Sequence, residues 1–296
     1  MSRILITGAN GQVGFELKRA LAPLGKVIAL TRQEMDLADP AGMRAVLDRH
    51  QPAIIVNPAA YTAVDKAETE VELAMAVNAQ APGVMAEWAE QHDALLIHYS
   101  TDDVFDGSKD GAYREDDAAN PQSVYGRSKW AGEQAIRART THHLILRTSW
   151  VVGAHGGNFL KTILRLAHER DSLTVVADQI GAPTPAALIA DVTAQLISRY
   201  RLPTHKFDYG TYHLAASGET SWFEFARFVV QLAEQQRYPL RLVASAIRPI
   251  PASAYPLPAP RPANSRLDCS KLSRHSDLAL PHWQQGVAHV VTQLYK

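Results

Sequence analysis

Short apolar runs recur through the first half of the chain, and each is followed by a longer stretch with helical spacing. The runs are Ile4–Ile6, Val27–Leu30, Ala53–Val56, Leu95–Tyr99 and Leu144–Arg147. They are apolar without alternation, as strands covered on both faces should be. Phe15–Leu24, Pro40–Arg49, Glu70–Gln91 and Val124–Arg139 read as helices between or after them. Repeated strand–helix alternation predicts an α/β fold with a doubly wound parallel sheet. Ligands then gather beyond the carboxyl ends of the strands.

After Gly153 the rhythm changes. Helices are expected at Phe159–Arg170, Ala186–Tyr200 and Trp222–Gln235, with a strand at Thr211–Ala215 returning to the main sheet. The segment from Arg248 to Arg261 carries Pro249, Pro251, Pro256, Pro258 and Pro260, which rules out a helix or a central strand. Tyr255 and its apolar neighbours favour an ordered loop over a flexible linker.

Composition narrows the partners. The 296 residues hold 30 Lys+Arg and 30 Asp+Glu. A balanced charge argues against a nucleic-acid or membrane-surface partner, since both favour a basic patch. It leaves room for a single anionic metabolite. Cys269 is the only cysteine, so no internal disulfide can form, which suits a reducing compartment. The first residues carry no secretory pattern, and no apolar run approaches the roughly 18 residues of a membrane helix. We expect a cytoplasmic protein with no nucleic-acid and no membrane partner. Oligomeric state is not fixed by the sequence; a homodimer is compatible with it.

Arg3-Ile4-Leu5-Ile6 runs directly into Thr7-Gly8-Ala9-Asn10-Gly11-Gln12-Val13-Gly14 and then into a helix. Strand, glycine turn, helix is the geometry that receives a dinucleotide pyrophosphate. Gly8 permits the turn, Gly11 lets the backbone approach the phosphates, and Gly14 lets the helix pack closely. Free N–H groups at the helix start then face the anion. An ordinary strand-to-helix turn can carry the same glycines, but the βαβ context favours the nucleotide. We therefore expect a Rossmann-type dinucleotide-binding domain over residues 1–150. Residues 151–296 are expected to form mainly a smaller, interleaved substrate-binding domain, with segments around 174–215 returning to the Rossmann core.

Tyr125 and Lys129 stand four apart in a helical pattern, so both project from one face. An ammonium beside a phenol favours the phenolate and lowers its pKa from about 10. A phenol so tuned can exchange a proton with a developing alkoxide. The spacing alone is weak, and Lys129 could be a solvated helix residue. Ser100-Thr101 at the end of the fourth strand strengthens it, because a hydroxyl there can hydrogen-bond a substrate carbonyl beside Tyr125. The alternative is a simple capping hydroxyl.

Thr31-Arg32 follows the second strand, where an adenosine ribose is read. An Arg there can accommodate a 2′-phosphate, which favours NADPH and leaves NADH open. Asp36-Leu37 can line an adenine pocket, and Ala59-Ala60-Tyr61-Thr62 offers small residues beside a nicotinamide ribose. The twelve His residues are scattered without a metal-ligand pattern, and no Gly-x-Ser-x-Gly elbow occurs. No metal site is expected.

These residues resemble the extended short-chain dehydrogenases/reductases, and more closely the dTDP-4-dehydrorhamnose reductase family. The resemblance covers nearly the whole chain. It includes Gly8–Gly14, Ala60-Tyr61-Thr62-Ala63-Val64-Asp65-Lys66-Ala67-Glu68, Tyr99-Ser100-Thr101-Asp102 and Val124-Tyr125-Gly126-Arg127-Ser128-Lys129. It continues with Arg147-Thr148-Ser149-Trp150-Val151, Asp178-Gln179-Ile180-Gly181-Ala182-Pro183-Thr184 and Arg261-Pro262-Ala263-Asn264-Ser265-Arg266-Leu267. The last two are the more family-specific.

The resemblance implies hydride delivery to C4 of a 4-keto dTDP-sugar. Tyr125 would protonate the alkoxide, Thr101 would orient the carbonyl, and Lys129 would tune Tyr125 and hold the nicotinamide ribose. It places Gly11, Gln12, Val13, Asp36, Leu37, Ala60 and Thr62 around the cofactor. Val64, Asp102 and Trp150 would lie at the substrate, and Arg261 and Asn264 at its diphosphate, where Arg suits bidentate contact. Trp150 as a core residue and Arg261 as a loop anchor are the plainer alternatives.

Three departures stand out. Asp103 occupies a place where the family usually has Tyr, so Ser100-Thr101-Asp102-Asp103 partly mimics the Ser-Thr-Asp-Glu of nucleotide-sugar 4,6-dehydratases. A dehydratase or epimerase, or a non-catalytic NADP-binding regulatory subunit, are therefore the competing readings. Pro58 replaces a usual Ala and stiffens the loop beside the cofactor. The C-terminal Thr292-Gln293-Leu294-Tyr295-Lys296 lacks the acids that some members use for an intersubunit Mg²⁺, so that ion is not predicted.

Overall fold

The computed structural model describes residues 2–202 and 207–295. Its main sheet has six strands: β1 (Arg3–Ile6), β2 (Lys26–Ala29), β3 (Ile54–Asn57), β4 (Leu95–Thr101), β5 (His143–Thr148) and β6 (Gly210–His213). The order is β6-β5-β4-β3-β1-β2, and every pairing is parallel. Chain direction across the sheet therefore reverses between β1 and β3. The loops leaving those two strands open a crevice at that switch point.

The principal helices are α1 (Gln12–Leu21), α2 (Pro40–His50), α3 (Ala81–Gln91), α4 (Val124–Arg137), α5 (Phe159–Glu169), α6 (Ala186–Tyr200), α7 (Trp222–Gln235) and α8 (Trp283–Leu294). Successive strand residues go to opposite faces. Ile4 and Ile6 pack with Leu17 and Leu21 of α1 and with Ile189 and Leu196 of α6. Leu5 and Ile55 pack with Met43 of α2, Trp88 of α3 and Ile136 of α4. Both faces are covered, which is why the strands are apolar throughout. Side-chain caps set several helix starts. Asp39 accepts from Gly42 N–H before α2, Ser123 from Gly126 N–H before α4, and Ser221 from Glu224 N–H before α7.

A second core gathers Leu160 and Ile163 of α5, Phe225 and Val229 of α7, and Trp283 and Val287 of α8. Within 174–215, α6 and β6 pack with the main sheet, whereas the strand Leu173–Val176 packs into this second core. That strand pairs in parallel with Ile247–Ile250. Pro249 is tolerated because this sheet has only two strands, leaving its missing N–H at an edge. The rest of the proline segment is ordered by contacts such as Ala259 N–H on Asp65 Oδ1 at 3.2 Å.

The helix expected over 70–91 is broken. Val71–Met75 and α3 are separated by a π-helical turn, Ala76–Gln80. Pro82 has no N–H to give to residue 78. Asn78 instead uses its side chain to hold Tyr61, accepting its N–H at 2.8 Å and donating to its carbonyl at 3.0 Å. The helix expected to end at Leu24 finishes at Leu21 and tightens into a 3₁₀ turn around Pro23.

Candidate functional site

The turn after β1 is shaped by its glycines. Gly8 has φ +55°, and a Cβ there would lie 3.0 Å from the Ala59 Cβ. A Cβ at Gly14 would overlap the Gly8 carbonyl oxygen. The turn closes on itself through Gly11 N–H to Gly8 O at 2.9 Å. Beyond it opens a cleft of about 560 Å³. Its walls include Gly8, Gly11, Gln12, Val13, Gly14, Arg32, Asp36, Leu37, Ala59, Ala60, Thr62, Tyr125 and Lys129. Thr31, expected among them, is not. Its N–H and hydroxyl both donate to the Glu34 carboxylate, at 2.8 and 2.9 Å, so it closes a local turn. Arg32 is 72% exposed and lies 3.7 Å from Asp36, at the outer end of the cleft.

A second cavity of about 620 Å³ lies between the sheet and the second core. Val64, Thr101, Asp102, Trp150 and Arg261 line it, together with Asp103, Trp222 and Tyr255. Trp150 has φ +47°, in the left-handed region where a non-glycine residue is strained. The surrounding packing holds it: its ring stacks on Trp222 at 3.6 Å, and a Cβ at Gly181 would come within 2.7 Å of the indole. Arg261 pairs with Asp65 at 3.0 Å.

Asn264 departs from expectation. It is 6% exposed and is not among the cavity residues. Its Nδ2 donates to the Lys109 and Gly111 carbonyls, each at 2.7 Å, and its Oδ1 accepts from Arg266 N at 3.0 Å and Nε at 2.8 Å. Both ends of the amide are occupied within the fold, which leaves none for a diphosphate.

The two cavities share Gln12, Thr62, Ser100, Tyr125, Thr148 and Val151 as walls. Tyr125 thus stands at the junction. Ser100 turns away from it and donates to Glu133 at 2.6 Å, beside the buried bidentate Glu133–Arg147 pair at 2.7 and 2.8 Å. Thr101 lines the second cavity beside Tyr125, and its hydroxyl donates to Asp102 Oδ1 at 3.1 Å. Its Oγ1 also accepts from Asp103 N–H at 3.2 Å.

The electrostatics reverse one expectation. Lys129 Nζ contacts the Tyr99 carbonyl at 2.6 Å and His98 Nε2 at 3.2 Å, on β4. Burial raises the Tyr125 pKa above the usual phenol value, and the Asp103 charge raises it further. The expected lowering by Lys129 is therefore not what this geometry gives. Burial brings Lys129 itself down to about 8, against the opposing pull of Glu133. Asp102 and Asp103 are both pushed up by burial, and Asp103 also by the charge of Asp102.

A wider surface depression near Trp130, Lys271 and Arg137 holds about 920 Å³. Several of its charges are engaged locally: Arg137 with Glu133, Arg114 with Asp268, and Lys271 with the Thr211 carbonyl. The junction at Tyr125 is the better candidate. Asn57 and His98, both fully buried beneath it, were not singled out from the sequence. Their signal there is a polar residue inside an otherwise apolar strand.

A glycine cradle joined to a second cavity through a Tyr/Lys helix and a strand-end Thr defines an extended short-chain dehydrogenase/reductase. The family model for the RmlD substrate binding domain matches residues 1–296. The dTDP-4-dehydrorhamnose reductase of Escherichia coli K12 is 46% identical, over 99% of this chain and 98% of that one. The enzyme of the same name from Salmonella typhimurium is 45% identical with the same coverage. A crystal structure of dTDP-4-dehydrorhamnose reductase from Bacillus anthracis, in complex with NADP, superposes with a TM-score of 0.89 at 34% identity, covering 99% of each chain. The chain belongs to the dTDP-4-dehydrorhamnose reductase family.

Proposed function

We propose that this chain reduces the C4 ketone of dTDP-4-dehydro-6-deoxy-L-mannose to dTDP-L-rhamnose, with NADPH as the preferred reductant and NADH as the alternative. The observation that carries this is the common wall of the two cavities at Tyr125. The cleft fits a dinucleotide: a Cβ at position 8 or 14 would crowd the turn, so the backbone itself forms the cradle. Arg32 at its outer end suits a 2′-phosphate. The bound reduced nicotinamide supplies the hydride.

The remaining steps fall to this chain's own groups. Tyr125 and Thr101 both line the sugar cavity, and their hydroxyls would meet the C4 oxygen, where negative charge grows as the carbonyl is reduced, once Thr101 turns its proton from Asp102. Burial keeps Tyr125 protonated, the form a reduction needs, and its proton passes to the alkoxide oxygen. Trp150 and Trp222 wall the sugar from water. Arg261 faces the cavity where a diphosphate can reach it. Among the described residues no helix is long and apolar enough to cross a membrane. With the balanced charge, that supports a cytoplasmic enzyme.

The test is NADPH absorbance with the purified protein and the 4-keto dTDP-sugar. Loss of signal that depends on the sugar supports the reading. The Asp102–Asp103 pair in the sugar cavity favours one competitor, a 4,6-dehydratase or epimerase. Conversion of dTDP-glucose to a 4-keto product, with NADPH unchanged, would establish the dehydratase instead. NADPH binding with no turnover of either sugar would indicate a regulatory subunit.

A further inference from the structure

Beneath the dinucleotide cleft a row of buried polar side chains crosses from the end of β1 to α4. Thr7 is 1% exposed, Asn57 and His98 0%, and Lys129 2%. Ala59 N–H donates to Thr7 Oγ1 at 3.3 Å, and the Thr7 hydroxyl donates to Asn57 Oδ1 at 2.6 Å. Asn57 Nδ2 meets His98 Nδ1 at 3.0 Å, and His98 Nε2 meets Lys129 Nζ at 3.2 Å. Lys129 Nζ also reaches the Tyr99 carbonyl at 2.6 Å.

Bond lengths and donor counts give this row a direction. An O–H···O bond typically spans about 2.7 Å, an N–H···O bond about 2.9 Å. The Thr7–Asn57 contact at 2.6 Å is of the first kind. Reversing the Asn57 amide would also leave the Thr7 proton without an acceptor in this row. Asn57 therefore turns its Nδ2, a donor only, toward His98. Nδ1 of His98 must accept, so the neutral imidazole carries its proton on Nε2. That N–H points at Lys129 Nζ. An ammonium has no lone pair to receive it, whereas a neutral amine has one and can still donate to the Tyr99 carbonyl.

We propose that Thr7, Asn57 and His98 form a one-directional hydrogen-bond chain that favours the neutral amine of Lys129, directed at β4, in the free protein, so that dinucleotide binding is coupled to uptake of a proton at Lys129. This rests on the cofactor reading above. His98 is then a positioning residue that acts through Lys129. The surrounding charges agree. Burial alone holds the His98 imidazole below its ordinary pKa and so keeps it neutral. Glu133, one turn further along α4, is the acid facing Lys129, but it is paired with Arg147 of β5 and with Arg137. The nearby phenols, Tyr125 on α4 and Tyr99 on β4, are both held neutral by burial. A dinucleotide carries negative charge into the cleft that Lys129 lines, and so favours the ammonium.

Two measurements test this. Two-bond ¹H–¹⁵N correlation of the free protein, with His98 assigned through its backbone, should show the Nε2–H tautomer. The Nδ1–H tautomer would overturn the chain. Titration calorimetry with NADPH in two buffers of different ionisation enthalpy gives the proton count. With Lys129 near 8 in the free protein, uptake should be about half a proton at pH 8 and about a tenth at pH 7. Lys129→Met should abolish it. Tight NADPH binding with no uptake at pH 8 would overturn the coupling. Failure of NADPH to bind would sink the cofactor reading and the coupling together, while the tautomer, read without ligand, still decides the chain.

Discussion

Much of the first cleft is built by short segments that each leave a sheet strand: Gly8–Gly14 after β1, Arg32–Leu37 after β2 and Pro58–Thr62 after β3, with Tyr125 and Lys129 of α4 closing one side. The sugar cavity instead joins Val64, Thr101, Trp150, Leu173–Val176, Trp222 and Arg261, which come from loops, a short strand and a helix far apart in the chain. The first half is set by local backbone geometry. The second exists only after the C-terminal core has closed on the sheet. The strain at Trp150 falls in the second half, at a residue that packing from Gly181 and Trp222 must hold in place.

Tyr125 belongs to both halves, so its variant should have the largest effect. Tyr125→Phe should lower kcat by roughly 10²–10⁴ and leave NADPH affinity nearly unchanged. Steady-state kinetics with a parallel binding titration checks this, and unchanged turnover would remove Tyr125 from the mechanism. Next come the two glycines. Gly14→Ala drives a Cβ into the Gly8 carbonyl, so it should cost about 1–3 kcal/mol of stability along with cofactor binding. Gly181→Ala presses on Trp150 and should raise the sugar KM about tenfold, near 1.4 kcal/mol, with NADPH affinity retained. If Gly181→Ala weakens NADPH as much as sugar, the two halves are not energetically separate.

Arg32→Ala should weaken NADPH by about tenfold and NADH hardly at all, the scale of one charge-assisted contact. Equal loss for both cofactors would refute a 2′-phosphate contact. At Asp103 the expected effect lies in the pH dependence of stability, not in turnover or cofactor affinity. Its carboxyl pKa is raised in the folded protein, so its stabilising contribution is full below the unfolded value of about 4 and is lost as pH rises through the folded value. The melting temperature should therefore fall between about pH 5 and pH 8, and Asp103→Asn should flatten that fall. An identical slope in the variant would show that Asp103 is ionised throughout.

The same contrast explains what the sequence revealed. The strand–turn–helix unit and the parallel sheet follow from glycine spacing and apolar runs, because those features act over a few residues, whereas Asp36, Leu37, Ala60 and Thr62 are placed around the cofactor by the family resemblance. α6 and α7 begin and end at the expected residues, Ala186–Tyr200 and Trp222–Gln235. The break at Ala76–Gln80 was hidden because it depends on Asn78 gripping Tyr61, a partner 17 residues away. Tyr-x-x-x-Lys spacing puts Tyr125 and Lys129 on one helix face but does not say where the ammonium turns. A buried carbonyl and His98 on β4 hold it here. Asn264 fitted a ligand motif, yet its amide ties a loop together, which only the contacts of Lys109, Gly111 and Arg266 disclose.

The central claim is that hydride crosses from one cavity to the other at the Tyr125 junction. The most direct measurement is turnover of the 4-keto dTDP-sugar with NADPH deuterated at both C4 positions of the nicotinamide, followed by NMR of the sugar product. The account predicts one deuterium at C4 of the product sugar. A product with no deuterium, or with deuterium at C5 or C6 instead, would contradict it.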